Sequence, residues 1–159
     1  MIIQTLQFGE LNVQQDQLIR FEQGLPGFES LRQFLLLTPD PEIPFSFLQS
    51  IEDGDIAFVL TDPFLFYPNY EFDLSEDTQG QLSIEQEQDV IVWAIVSLQE
   101  DMTKSTLNLL APVVINEIKR LGKQCILHGS EYTTKHPLSV ADVAENTVEE
   151  GDAHARIDS

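Results

Sequence analysis

A mainly β fold, one small antiparallel β-barrel-like domain with minor helical turns, is predicted for this chain by three observations. Apolar and polar residues alternate in short runs from the first residues onward. Val and Ile concentrate in "VIVWAIVSL" at 90–98, and no long segment carries the period of an amphipathic helix. At 159 residues, with 42% apolar residues and ten Phe, the chain can bury one core large enough to offset its ordering entropy. A β-sandwich is the second architecture compatible with the pattern.

The elements follow in order. "IIQTLQFGELNV" predicts a hairpin turning near Gly9 or just after it, and "LIRFEQGLPGF" a strand running into the backbone punctuation of Gly24, Pro26 and Gly27. "SLRQFLLLT" reads as a strand, either throughout or after a short helical turn. "PFSFLQSIEDGDIAFVLTDP" holds two strands about a turn at "EDGD", and "FLFYPNYEFDL" is expected to end in a strand over 70–74. Ser83 and Gln86 have capping-box spacing, enough for a turn or two. Residues 90–96 form a central strand. "STLNLL" and "PVVIN" are two strand pieces broken at Pro112, and "KQCILHG" is the last strand. These pieces suggest four to six strands without long helices between them, which favours antiparallel closure.

The domain is placed at 1–138. Residues 139–159 are read as an acidic C-terminal extension, with one short helix up to about 148 and then a frayed tail removable without unfolding the domain. No basic leader followed by an apolar run opens the sequence, and no window reaches the about 18 apolar residues of a membrane span. A soluble, cytoplasmic protein without membrane association is the expectation.

Chemistry is nearly absent from the pattern. Cys125 is the single cysteine and lies in an apolar run, where an inert buried thiol is expected. His128, His136 and His154 lack zinc-site spacing, and "EDGD" lacks the other ligands of a calcium loop. Neither an enzyme nor a cofactor or metal site is indicated. A small-ligand or catalytic barrel using the carboxylates of 52–62 is the alternative.

Charge is the most informative property. The formal net charge is −19, and between Arg32 and Lys104 there are fifteen Asp and Glu and no Lys or Arg. Such a field repels phosphate backbones, which argues against direct nucleic-acid binding, and it steers a basic partner toward the chain. It also serves solubility. Within the interval 51–74, Glu52, Asp53, Asp55, Tyr67, Tyr70 and Glu71 are the candidate protein-binding residues. The carboxylates would supply steering and the tyrosines desolvated area. The competing reading makes "EDGD" a solvated turn and Tyr70, like Phe72, a core residue.

"GLPGFE" at 24–29, "PFSFLQSIEDGDIAFVLTDP" at 44–63, "YPNYEFDL" at 67–74, "NLLAPVVIN" at 108–116 and "GKQCILHGSEYTTKHPL" at 122–138 resemble the bacterial flagellar assembly factor FliW family. The resemblance runs from the first residues to about Leu138, in the family's order, and finds no counterpart for 139–159. It implies a compact barrel-like fold and a cytoplasmic binding protein, expected to be a monomer when free. It implies two mutually exclusive partners, newly made flagellin and the RNA-binding translational repressor CsrA. CsrA would be inhibited allosterically, and flagellin export would release the factor to relieve repression of flagellin translation.

Overall fold

Residues 1–138 are described by a computed structural model. Eleven short strands lie among them: β1 (Ile2–Thr5), β2 (Gly9–Asn12), β3 (Leu18–Arg20), β4 (Gln33–Leu37), β5 (Ser46–Ser50), β6 (Ala57–Thr61), β7 (Val90–Ser97), β8 (Thr106–Leu107), β9 (Val113–Asn116), β10 (Leu121–Gln124) and β11 (His136–Pro137). One short helix, α1 (Glu76–Gln81), precedes β7. The strands β7-β6-β5-β4-β3-β10-β9 follow one another by hydrogen bonding, and β9 pairs back onto β7, closing a seven-strand barrel. All pairings are antiparallel except the single contact of Leu121 in β10 with Arg20 in β3.

Closure depends on β7, which is eight residues long while most of its neighbours have five or fewer. Its first half pairs with β9, from Val90 opposite Asn116 to Trp93 opposite Val113, and its end pairs with β8. Val90, Val92, Ala94 and Val96 are buried on one face, while Trp93 and Ile95 pack on the other against a core of Ile19, Phe21, Phe34, Leu48, Leu60 and Ile115. A strand covered on both faces has no polar side to alternate, which is why 90–96 reads as a nearly continuous apolar run.

"NLLAPVVIN" forms the seam. Leu107 faces Val96 and Val113 faces Trp93, so β8 and β9 together form one interrupted strand along the same edge of β7. Asn108 still donates its N–H to Ile95 O (2.9 Å), and residues 109–112 then leave the β7 ladder, as expected from Pro112, which has no N–H to donate. Asn108 supports the excursion by accepting the Ala111 N–H at its side-chain oxygen (2.9 Å). Asn116, fully buried, ends the run: its amide donates to Leu82 O at 2.8 Å and its oxygen accepts the N–H groups of Ile118 and Lys119.

Several expectations need correction. There are eleven strands among the described residues rather than four to six, because nearly every short apolar run makes a strand of its own. The expected strand over 70–74 is extended backbone with a single bridge at Phe72. Tyr70, Phe72 and Leu74 alternate inward there, but from a segment laid over the face of β7 that carries Val90, Val92, Ala94 and Val96 rather than from a sheet strand. A single 3₁₀ turn does precede β7, at Glu87–Asp89, but Gln86 opens it and Ser83 does not cap it: Ser83 takes a left-handed φ of 52° just beyond α1, which Ser75 caps by accepting the Thr78 N–H (3.1 Å). The last strand element is β11, not "KQCILHG". The short helix and frayed tail expected after Leu138 lie outside the described residues.

Candidate functional site

The six sequence-derived candidates fall into two groups at opposite ends of β6. Glu52, Asp53 and Asp55 occupy the turn that enters β6, and Tyr67, Tyr70 and Glu71 lie in the segment that follows it.

The acidic turn is built from within. Gln49, fully buried, donates from its side-chain amide to the carbonyls of Ser50 (2.8 Å), Gly54 (3.2 Å) and Ile56 (3.1 Å). The Ser50 hydroxyl accepts the Glu52 and Asp53 N–H groups, and Asp53 accepts the Asp55 N–H (3.1 Å). Glu52 is exposed, yet its carboxylate accepts the Arg32 and Gln33 N–H groups at 2.5 and 3.0 Å, which fixes the start of β4. Glu52 therefore has a structural task, whereas the Asp53 and Asp55 carboxylates project as exposed charge. The β1–β2 hairpin docks on this turn through Leu6 N–H to Gly54 O (3.0 Å), and an added Cβ on Gly54 would lie 2.0 Å from Gln4 O. Only glycine permits that approach. Docking leaves Leu6, 73% exposed, bonded through its backbone to the turn that carries the two carboxylates, so apolar surface and negative charge share one end of the molecule.

The second group is an aromatic clasp. Tyr70 is 1% exposed, and its hydroxyl donates to Leu109 O in the seam excursion at 2.8 Å. Burial, reinforced by Tyr132 and Cys125, holds its phenol far above the ordinary range. Tyr70 belongs to the core, and its placement corrects the reading of it as a surface anchor: a side chain with no accessible area offers a partner nothing to cover. Half-buried Tyr67 donates to Pro137 O at 2.6 Å and stands edge-on to His136, with ring centroids 5.4 Å apart. Glu71 is exposed, and its backbone N–H meets the Tyr132 hydroxyl at 3.2 Å. Tyr132 also stands edge-on to Tyr70 at 4.7 Å. The clasp ties 63–72 to 130–138, two stretches far apart in the chain. Nothing in the sequence pattern pointed to Tyr132 or His136, since their roles depend on that long-range contact.

His136 gives the clasp a pH response. Its Nε2 accepts the Thr133 N–H at 2.9 Å, and burial lowers its pKa from 6.5. The unfolded chain therefore takes up the proton first as pH falls through 6.5, so stability is lost below that value and levels off only below the folded pKa. Wild-type protein is expected to lose stability in denaturant melts between pH 7 and pH 5.5, and His136→Gln to lose less over the same range. Equal slopes for the two proteins contradict this assignment.

The alternative of a ligand-binding or catalytic barrel finds little support. The barrel interior is filled by Ile19, Phe21, Phe34, Leu48, Leu60 and Ile115, and buried Asp62 caps the turn after β6 by accepting the Phe64 N–H at 2.9 Å. Burial pushes the Cys125 thiol up to about 11, away from the thiolate a nucleophile requires. No cluster of three metal-ligating side chains occurs among the described residues, and none of their helices is long and apolar enough to cross a membrane.

Comparison with known proteins identifies relatives of this arrangement. A family profile described as FliW protein matches residues 2–138. The flagellar assembly factor FliW of Bacillus subtilis (strain 168) is 46% identical over 138 residues, covering 87% of this chain and 96% of that one. The flagellar assembly factor FliW of Desulfitobacterium hafniense (strain DSM 10664 / DCB-2) is 41% identical over 152 residues, covering 96% of this chain and 100% of that one. That match extends past Leu138, so part of the acidic extension does have a counterpart. A crystal structure of the flagellar assembly factor FliW superposes with a TM-score of 0.82 at 44% identity, covering 86% of this chain and 96% of that one.

Proposed function

The chain belongs to the FliW family, and on that premise we propose that it is a flagellar assembly factor that binds flagellin and, in exchange for it, the translational repressor CsrA. In this reading the free chain is a cytoplasmic monomer and a regulatory binding protein. Flagellin occupies it while export is slow. Export releases it to take up CsrA and inhibit that protein allosterically, which couples flagellin translation to export. It has no enzymatic step and needs no cofactor.

The observation that carries the reading is the charge, −19 overall, with no Lys or Arg between Arg32 and Lys104. An RNA-binding repressor presents a basic surface, and a field of this sign speeds encounter with it while disfavouring direct contact with RNA. Exposed Asp53 and Asp55, with Leu6 bonded to their turn, offer both steering charge and apolar area, and Glu71 with half-buried Tyr67 offers a second, smaller patch. Glu52 contributes charge from a fixed position.

Asp53→Asn together with Asp55→Asn tests the role of the turn. Asn at 53 keeps the side-chain oxygen that accepts the Asp55 N–H, so the turn survives. The variant is expected to associate with CsrA more slowly and with a flatter salt response, while dissociation stays nearly unchanged. Surface plasmon resonance at two salt concentrations, with thermal melts as controls, checks it. Unchanged association kinetics in a folded variant move the steering surface elsewhere.

A further inference from the structure

Past Gln124 the β10 chain continues in the same direction, with hydrogen-bonded neighbours on one side only among the described residues. Cys125 N–H donates to Pro112 O and Leu127 N–H to Leu110 O, both at 2.8 Å, which extends the ladder onto the seam excursion. Antiparallel alternation turns the N–H and C=O of Gln124 and Ile126 to the opposite edge. β3 meets that edge only at Leu121, and its chain turns away by Gly24, where φ is 65°. Neither the Gln124 nor the Ile126 backbone N–H has a hydrogen-bond partner among the described residues. Neither Pro nor a charged side chain protects residues 124–127, although such edges are usually blunted.

The edge borders a groove. Two adjoining hollows of about 440 and 410 Å³ share Ser75, Thr78, Cys125, Ile126 and His128 as lining. Ile126 is 51% exposed in them. Glu29 and Asp77 line the first hollow and Glu71 and Asp73 the second, against Lys123 as the only Lys or Arg that the described residues bring to either lining.

We propose that this edge receives an extended segment of a partner protein as an added strand, one carrying Lys or Arg at alternate positions. The segment's backbone pairs with the N–H and C=O groups of Gln124 and Ile126. Period-two alternation turns every second side chain of the segment toward the groove, where the basic groups meet its carboxylates and lay their apolar stems along Ile126, and the intervening ones to the opposite face. Charge complementarity selects this occupant over the chain's own extension, since 139–159 carries six Asp and Glu against one Arg. It equally disfavours a second copy, whose matching edge bears the same carboxylates. The proposal deepens the partner reading above and rests on it only for which protein supplies the segment.

Amide hydrogen exchange of the full chain by NMR tests it, alone and with CsrA, with flagellin, and with the capped peptide Val-Lys-Val-Lys-Val-Lys-Val. The expected result is that exchange at Gln124 and Ile126 slows about tenfold or more with the Lys peptide and in at least one protein complex. The same peptide with Glu for Lys should have no effect. Ile126→Pro removes one groove-facing N–H and leaves the Cys125 and Leu127 bonds to the excursion. It should weaken peptide binding about tenfold, while Ile126→Ala, which keeps the amide, should retain most of it. If Ile126→Pro does not fold, the wild-type exchange data decide. Unchanged exchange at both amides with the peptide and in every complex that forms overturns the proposal. Failure of both CsrA and flagellin to bind instead overturns the partner reading, and the peptide still decides the edge.

Discussion

Tyr70→Ala is expected to destabilise the domain by about 3–5 kcal/mol, the usual cost of removing a buried aromatic ring. Its ring contacts Phe64, Phe72 and Tyr132, and its hydroxyl satisfies Leu109 O at 2.8 Å. Truncation leaves a cavity over β7 and an orphaned carbonyl in the seam excursion. For a domain of this size the melting temperature should fall by about 10 °C or more. Tyr70→Phe keeps the ring and strands only the carbonyl, costing about 1–3 kcal/mol. Trp93, the single tryptophan, lies on β7 and reports unfolding in urea by its fluorescence. A loss below about 1 kcal/mol for Tyr70→Ala, with partner binding weakened, returns this residue to the interface.

Ala94→Asp is expected to be at least as damaging. Ala94 is 0% exposed, pairs with Thr61 of β6, and faces the core beneath the aromatic clasp. A carboxylate there has no partner, and the effective cost of burying an unpaired charge is several kcal/mol. Ser97→Asp, exposed at the end of the same strand, serves as the control and should change stability by no more than about 0.5 kcal/mol. The pair of melts separates burial from any general intolerance of β7 to acidic residues. Equal effects contradict the two-sided burial of this strand.

Sequence patterns revealed the fold where burial imposes a period. The β1–β2 hairpin, the turn at "EDGD" and the two-sided β7 were all legible, because alternation, Gly and Asp turn chemistry, and an uninterrupted Val/Ile run each have one physical cause. The segment 70–74 was misread because Tyr70, Phe72 and Leu74 alternate as a strand does, and a period of two does not say whether the neighbour is a strand or a core. Six-residue α1, with Gly80 inside it, is too short to carry a helical period. Gln49 gives no sign of its task in a strand whose other residues are ordinary. Of the candidate site, the exposed carboxylates were legible as turn residues. Glu52 bonding to the start of β4 and Tyr70 bonding to the seam depend on contacts that only the folded chain makes.

Exchange between partners is the most direct test of the functional account. The chain is saturated with CsrA, flagellin is titrated in, and the species are separated by size-exclusion chromatography with light scattering. The account predicts that CsrA is released as flagellin binds, that the flagellin complex accumulates in step, and that no species contains all three proteins. Co-elution of the three together contradicts mutually exclusive binding, and failure of the chain to bind either protein contradicts the function proposed for it.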